Sequence, residues 1–132
     1  MSKTVIYTAG VFDLLHEGHL NILKNSKRLG DILIVGVVSD EGTKAYKNKL
    51  PVFNEKQRLA YIRAMKWVDF AMIQATTDPT PVLEIVRPHI MTHGSDWKSL
   101  KEGHESLARL GVEFVLLPYT EGISSTDLRK KL

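Results

Sequence analysis

The sequence contains no cysteine, and none of its apolar runs is long enough to cross a membrane. Without cysteine there is no disulfide and no thiolate chemistry, which fits a reducing cytoplasm. The longest uninterrupted apolar run, Ile32 to Val38, has seven residues, whereas a membrane-spanning helix needs about 20. The first residues pass directly into a strand pattern and leave no room for the apolar core of a signal peptide. We therefore expect a cytoplasmic protein without membrane contact.

A strong excess of one charge is also missing. Eighteen Lys and Arg residues oppose fifteen Asp and Glu residues, which gives a formal charge of +3. This excess suits anionic small molecules, but it is too small and too dispersed to indicate nucleic-acid binding without an aromatic-basic motif. The 132 residues contain no evident linker, internal repeat or low-complexity segment. We expect one domain that spans residues 1–132.

Apolar runs of strand length alternate with helical segments along the chain. The predicted strands are Val5 to Tyr7, Ile32 to Val38, Phe70 to Ile73, Ile90 to Thr92 and Val112 to Leu117. Helices are predicted at about 19–29, closed by Gly30, and at 58–65, 82–87, 98–110 and beyond 126, with Asn54 and Gln57 at the spacing of a capping box. Ser39 to Glu41 is predicted to cap a short turn of helix, and the segment 44–51 that follows is predicted to be basic and irregular. The alternation predicts an α/β fold with a parallel sheet of about five strands, which binds ligands beyond the carboxyl ends of its strands.

The turn from Gly10 to His19 joins the first strand to the first helix. Its histidines, His16 and His19, are three residues apart and lie on the same face of a helical turn. A helix N-terminus offers N–H groups and partial positive charge to an anion, and Gly10 lets the backbone approach a phosphate closely. We interpret His16 and His19 as donors that stabilise charge developing on a phosphate in the transition state.

Other interpretations of this turn stay open. Zinc proteases place two histidines four residues apart and add a third ligand, whereas the spacing here is three and includes a glycine. Alternatively, one histidine caps the helix and the other is exposed. Phe12 could simply pack in the core beneath the turn. Asp13 could hold a metal, cap the turn or orient a histidine, and we predict no other side-chain metal ligand.

Several cationic and polar side chains follow other strands. Lys44, Lys47 and Lys49 could neutralise a triphosphate or an anionic acceptor, or could belong to a solvated loop. Arg58 opens a helix, where a cation opposes the helix dipole unless it meets an anion, so we count it among the acceptor-binding candidates.

Two further segments offer groups for a nucleotide. Gly94 beside Asp96 could face a ribose or a base, or form a simple turn. Ser124 to Thr126 could bind phosphate or cap a helix. The sequence has no Walker lysine loop, no G-x-G-x-x-G and no Ser-His-Asp order, so P-loop enzymes, ordinary dinucleotide dehydrogenases and hydrolases lose their main support.

The chain resembles the small cytidylyltransferases of the nucleotidyltransferase superfamily, typified by glycerol-3-phosphate cytidylyltransferase, over essentially its whole length. His16-Glu17-Gly18-His19 is similar to their His-x-Gly-His signature, which follows a Gly-x-Phe-Asp turn as it does here. Thr120 to Thr126 is similar to their second signature. The resemblance implies a Rossmann-like three-layer α/β/α domain, often a homodimer, that binds CTP with Mg²⁺. An acceptor phosphate would attack the α-phosphorus, and pyrophosphate would leave.

Carried over by position, the resemblance implies roles for individual residues. Val11, Phe12 and the signature residues His16, Glu17, Gly18 and His19 would line the triphosphate. Lys47 and Lys49 would contact acceptor and nucleotide, with Lys49 as a catalytic residue, Lys47 as an acceptor-binding residue and Lys44 as a further acceptor-binding candidate. Asp96 would contact the nucleotide. The residues that would close over it are Tyr119, Thr120, Glu121, Gly122, Ile123, Ser124, Ser125 and Thr126.

The chain departs from the glycerol-phosphate enzymes at Tyr119, where many of them have Arg, and at Ser95, where they have Asp. The form of the second signature is closer to cytidylyltransferases of phosphonate or cell-surface phosphoester pathways. We therefore expect CMP transfer from CTP to a small phosphomonoester or phosphonate. Enzymes that adenylylate sugar phosphates share the first signature, so ATP with a sugar phosphate is an alternative. A nucleotide-binding regulatory module without turnover is a further one.

Overall fold

The computed structural model describes residues 2–94 and 103–118 of the chain. Strands and helices alternate in these ranges, except that two helices lie between the second and the third strand. In chain order they are β1 (Val5–Gly10), α1 (Glu17–Lys27), β2 (Ile32–Val38), α2 (Asp40–Lys47), α3 (Glu55–Arg63), β3 (Phe70–Gln74), α4 (Thr80–Val86), β4 (Ile90–Gly94), α5 (His104–Leu110) and β5 (Glu113–Leu117).

The strands form one parallel sheet in the order β3-β2-β1-β4-β5. This confirms the predicted α/β fold with a five-stranded parallel sheet. After β1 the chain forms β2 and β3 on one side of β1, and it then forms β4 and β5 on the other side. The direction of winding therefore changes next to β1, which is where open parallel sheets bind ligands. The turn with the two histidines follows this strand.

Apolar side chains pack on both faces of the sheet. Successive residues of a strand point to opposite faces, so Ile6 packs with Leu23 of α1 and Ile62 of α3. Its neighbour Tyr7 belongs to a second cluster, which includes Leu83 of α4 and is completed by residues of α5 and β4. Helices thus cover both faces, as the predicted three-layer arrangement requires. No helix in the described part of the chain is long and apolar enough to cross a membrane.

The start of α3 follows the predicted capping box. The Asn54 side chain accepts from the Gln57 backbone N–H at 2.9 Å, and the Gln57 side chain accepts from the Asn54 N–H at 3.0 Å. The helix consequently begins at Glu55, three residues before the predicted start.

Helix α2 starts where a short helical turn was predicted after Ser39 and extends to Lys47, so the prediction that 44–51 is irregular was wrong for the first half of that segment. Helix α2 begins after Ser39, whose hydroxyl accepts from the Gly42 N–H at 2.9 Å. A Cβ atom at position 42 would lie 2.5 Å from the backbone oxygen of Ala75. The helix therefore packs closely through its small residues Gly42 and Thr43, which leaves no apolar periodicity in the sequence to reveal it.

Smaller corrections concern helix ends. Helix α1 begins at Glu17 and ends at Lys27, with Arg28 rather than Gly30 at its C-terminal cap. Helix α4 begins at Thr80, two residues before the predicted start. Helix α5 begins at His104, with Gly103 at its N-terminal cap, rather than at residue 98 as predicted. The helix predicted beyond Thr126 lies outside the described residues.

Candidate active site

Phe12 packs in the core next to the turn that follows β1. This residue has a positive φ of 53°, an uncommon backbone conformation for a residue other than glycine. Its ring is 5% exposed, packs in the core, and makes an edge contact with the His19 ring at a centroid distance of 5.6 Å. Gly10 leaves room for this ring, since a Cβ there would lie 3.1 Å from it. Phe12 is therefore a core residue that also supports His19.

His16 and His19 form the N-terminal cap of α1. The Nδ1 atom of His16 accepts from the Gly18 N–H at 3.0 Å, and the Nδ1 atom of His19 accepts from the His16 N–H at 3.3 Å. The two rings stack with their centroids 4.0 Å apart and their planes at 28°. The alternative with one capping histidine was right about His16, but His19 is only partly exposed and completes the capping box.

These hydrogen bonds assign the tautomer of both rings. A neutral imidazole has one acceptor nitrogen and one N–H donor, and here both Nδ1 atoms accept backbone protons. The proton of each neutral ring therefore lies on Nε2. Burial lowers the pKa of His16 below its ordinary value of 6.5. Burial, His16 and Lys47 lower the pKa of His19 to about 3. At neutral pH the pair consists of two uncharged Nε2–H donors.

Of the three predicted lysines, Lys47 is the one whose charge lowers the pKa of His19. Lys44 and Lys47 lie in the last turn of α2, and Lys49 follows the helix on an exposed segment. Cations near two neutral donors form a surface that suits a polyphosphate.

Asp13 holds a distant loop in place. Its carboxylate is 1% exposed and accepts from the backbone N–H groups of Val52 and Phe53 at 2.8 and 2.9 Å. This anchoring role was not among the roles considered from the sequence. The described residues contain no group of three or more His, Cys, Asp or Glu side chains that could hold a metal ion.

The structure contradicts acceptor binding by Arg58. The side chain is 0% exposed, so an acceptor cannot reach it. Its guanidinium donates to the backbone oxygens of Phe53, Val11 and Val38 at 2.7–2.9 Å and to the Asp40 carboxylate at 2.7 Å. Arg58 therefore cross-links the turn after β1, the end of β2 and the start of α2. The Asp40 carboxylate is the anion that a cation at the start of a helix requires, and the three carbonyl dipoles stabilise the Arg58 charge further.

The structure contains a cavity in the predicted position, beyond the carboxyl ends of the strands, although Gln74 in its wall was not among the predicted site residues. This open cavity encloses about 450 Å³, a volume that includes solvent space at its mouth. It lies at the carboxyl ends of β1 to β4 and shares Gly10 and Val11 with the histidine turn. Its polar lining comes from Tyr46, Gln74, Thr77 and His93. The sequence signal for Gln74 was a polar residue at the end of an apolar strand, because a buried amide needs hydrogen-bond partners.

Two further predicted nucleotide-binding residues lie in the first turn of α1. Glu17 is exposed there, and Gly18 is buried. Asp96 and the whole segment Tyr119, Thr120, Glu121, Gly122, Ile123, Ser124, Ser125 and Thr126 lie outside the described residues.

Residues 7–131 match the family model described as cytidylyltransferase-like. The chain belongs to the cytidylyltransferase-like family. It is 40% identical over 128 residues to the bifunctional protein HldE of Desulfatibacillum aliphaticivorans. The match covers 96% of this chain and 26% of that protein. It thus spans little more than a quarter of the length of the curated HldE proteins that it matches.

Solved structures agree with this assignment to the cytidylyltransferase-like family. A lipopolysaccharide core biosynthesis protein from Thermoplasma volcanium is 35% identical, with a TM-score of 0.76, and the match covers 90% of this chain and 98% of that one. A pantoate-beta-alanine ligase from Francisella tularensis is 15% identical, with a TM-score of 0.65 and coverage of 96% and 68%. The second likeness concerns the fold alone.

Proposed function

We propose that this chain catalyses nucleotidyl transfer to a small phosphorylated acceptor. An acceptor phosphate oxygen forms a bond to the α-phosphorus of a nucleoside triphosphate, while the bond from that phosphorus to the bridging oxygen breaks and pyrophosphate leaves. Positioning and charge stabilisation suffice for such an in-line displacement, without a covalent intermediate. The supporting observation is the pair of uncharged imidazoles, His16 and His19, whose Nε2–H tautomers are fixed by the helix cap.

The fixed tautomers matter because charge must be stabilised without proton transfer. Preorganised donors act best when they need no rearrangement as charge develops, and here the backbone of α1 holds both rings in orientation. The low pKa values of His16 and His19 keep both rings uncharged near neutral pH, so positive charge for the phosphates would come from Lys47, Lys44 and Lys49.

Mg²⁺ would be held mainly by the nucleotide. Mg²⁺ usually binds through one or two carboxylates together with substrate phosphates and water. The Asp13 carboxylate is already engaged by two backbone N–H groups, and the described residues offer no cluster of metal-binding side chains. A magnesium ion bound with the triphosphate would neutralise phosphate charge.

The sequence resemblance favours CTP as donor and a small phosphomonoester or phosphonate as acceptor. Transfer of AMP from ATP to a sugar phosphate is the second candidate. It is favoured by the 35% identical lipopolysaccharide core biosynthesis protein, since a lipopolysaccharide core is built from sugars. We further propose that residues 1–132 form one domain and that it acts as a homodimer in the cytoplasm.

The test is a pyrophosphate-release assay that crosses CTP, ATP, GTP and UTP with a panel of acceptors in the presence of Mg²⁺. The panel contains glycerol phosphate, ethanolamine phosphate, phosphocholine, phosphonates and sugar 1-phosphates. We expect turnover with CTP or ATP and one class of acceptor. Nucleotide binding without pyrophosphate release across the panel would refute catalysis and favour a regulatory module.

A further inference from the structure

Gln74 is a buried polar residue in the lining of the cavity next to the histidine turn. It is the last residue of β3 and is 2% exposed. Buried amides are nearly always hydrogen-bonded, and those in a cavity wall also meet whatever fills the cavity. The groups that Gln74 already engages therefore determine what it can offer a ligand.

The hydrogen bonds of Gln74 assign the orientation of its amide. The backbone oxygen of Thr76 only accepts, so the Gln74 atom 2.8 Å from it is the Nε2 donor. The Oε1 atom then lies 2.5 Å from the Tyr7 hydroxyl, which has to donate. Burial raises the pKa of Tyr7, so this hydroxyl keeps its proton.

Tyr7 reaches Gln74 across the intervening strand at Gly36. A Cβ atom at position 36 would overlap the Tyr7 hydroxyl oxygen, so the crossing depends on glycine. The three residues belong to the adjacent strands β1, β2 and β3. Because Tyr7 and Gly36 are themselves buried in the sheet, the amide of Gln74 is oriented before any ligand binds.

The amide retains one N–H donor and one acceptor lone pair beyond its bonds to Thr76 and Tyr7 within the described residues. A hydroxyl group complements this combination, since it can accept the N–H and donate its own proton to Oε1. The wall of the cavity also contains Tyr46, which lies on α2 between the proposed acceptor-binding residues Lys44 and Lys47. We propose that Gln74, positioned by Tyr7, binds a hydroxyl group of the acceptor, so that turnover depends on that hydroxyl. This inference rests on the proposed function and specifies its acceptor.

The double variant Y7F/Q74M tests this role. Replacing Tyr7 and Gln74 by apolar side chains of similar shape leaves neither of these two partners unpaired. The Thr76 oxygen loses its bond from Gln74, but Thr76 is exposed and water can replace the lost donor. We therefore expect the variant to fold, as judged by circular dichroism and thermal unfolding. The variant Y61F removes a hydroxyl from a tyrosine that is 40% exposed on α3 and is the matched control. Pyrophosphate release is measured with hexose 1-phosphates and with singly deoxygenated analogues of the hexose phosphate used best.

For the wild type and Y61F we expect kcat/KM to fall at least about tenfold with one deoxygenated analogue, since a site built around a hydroxyl rejects the analogue that lacks it. Y7F/Q74M should use that analogue and its parent equally well, with a nearly unchanged KM for the nucleotide. Unchanged discrimination in Y7F/Q74M, or equally efficient wild-type turnover of acceptors without hydroxyl groups, would overturn the role of Gln74 and leave the proposed function intact. No pyrophosphate release with any acceptor would overturn both.

Discussion

Replacement of Arg58 by methionine should destabilise the protein strongly, even though Arg58 is a charged residue in the first turn of a helix. The change removes four hydrogen bonds of 2.7–2.9 Å while keeping an apolar stem. At about 1 kcal/mol for each bond the loss is about 4 kcal/mol. The cost of about 3–5 kcal/mol that is typical for losing one partner of a fully buried ion pair is an upper bound here, because the Asp40 side chain is 29% exposed and keeps part of its solvation.

The matched control is R63M on the same helix. Arg63 is exposed and makes one long hydrogen bond of 3.3 Å to the Ala71 backbone oxygen, so its replacement should change the free energy of unfolding by no more than about 0.5 kcal/mol. Urea unfolding followed by circular dichroism measures both variants. If the free energies of unfolding of R58M and R63M differ by less than about 1 kcal/mol, Arg58 does not hold the turn, β2 and α2 together. An acceptor-binding role for Arg58 would then have to be reconsidered.

Two further predictions concern the same end of the sheet. The variant D13N keeps the size of the side chain but has only one acceptor oxygen for the Val52 and Phe53 N–H groups. We therefore expect the free energy of unfolding to fall by about 1–3 kcal/mol and hydrogen exchange to become faster at one of these amides. Unchanged exchange at both amides would contradict the anchoring role of Asp13. The pKa of His19 is lowered from 6.5 to about 3 in the native state, so the unfolded chain binds more protons between these values and the free energy of unfolding should decrease as pH falls through this window. A pH series of urea unfolding measures this decrease, which should be smaller in H19N, and an equal decrease in both proteins would refute the assignment.

The parallel sheet and the position of the site were predictable because they depend on local patterns. The uninterrupted apolar run of β2 indicated a strand buried on both faces, and the spacing of Asn54 and Gln57 indicated the start of α3. Only the start of helix α2 was predicted, because the helix buries little beyond Gly42 and Thr43, which are too small to produce an apolar period.

The detailed roles depended on contacts between residues far apart in the chain. Arg58 meets Val11, which lies 47 positions away, and no sequence pattern pairs a cation with a backbone oxygen at such a distance. The cap formed by His16 and His19 was only partly foreseen, because histidine is not among the residues preferred at helix starts. Tyr7 within a buried strand and Gly36 in the middle of the next strand were signals of a close polar contact, although they did not identify Gln74 as the partner.

The most direct test of the proposed catalytic role is the turnover of H16N. Asparagine is a favoured helix cap, so this variant keeps a side-chain acceptor for the first turn of α1 and removes the Nε2–H donor. We predict wild-type-like thermal stability together with a fall in kcat of about 10²–10³, the usual effect of losing one preorganised donor. Near-normal turnover in folded H16N would contradict charge stabilisation by the histidine pair.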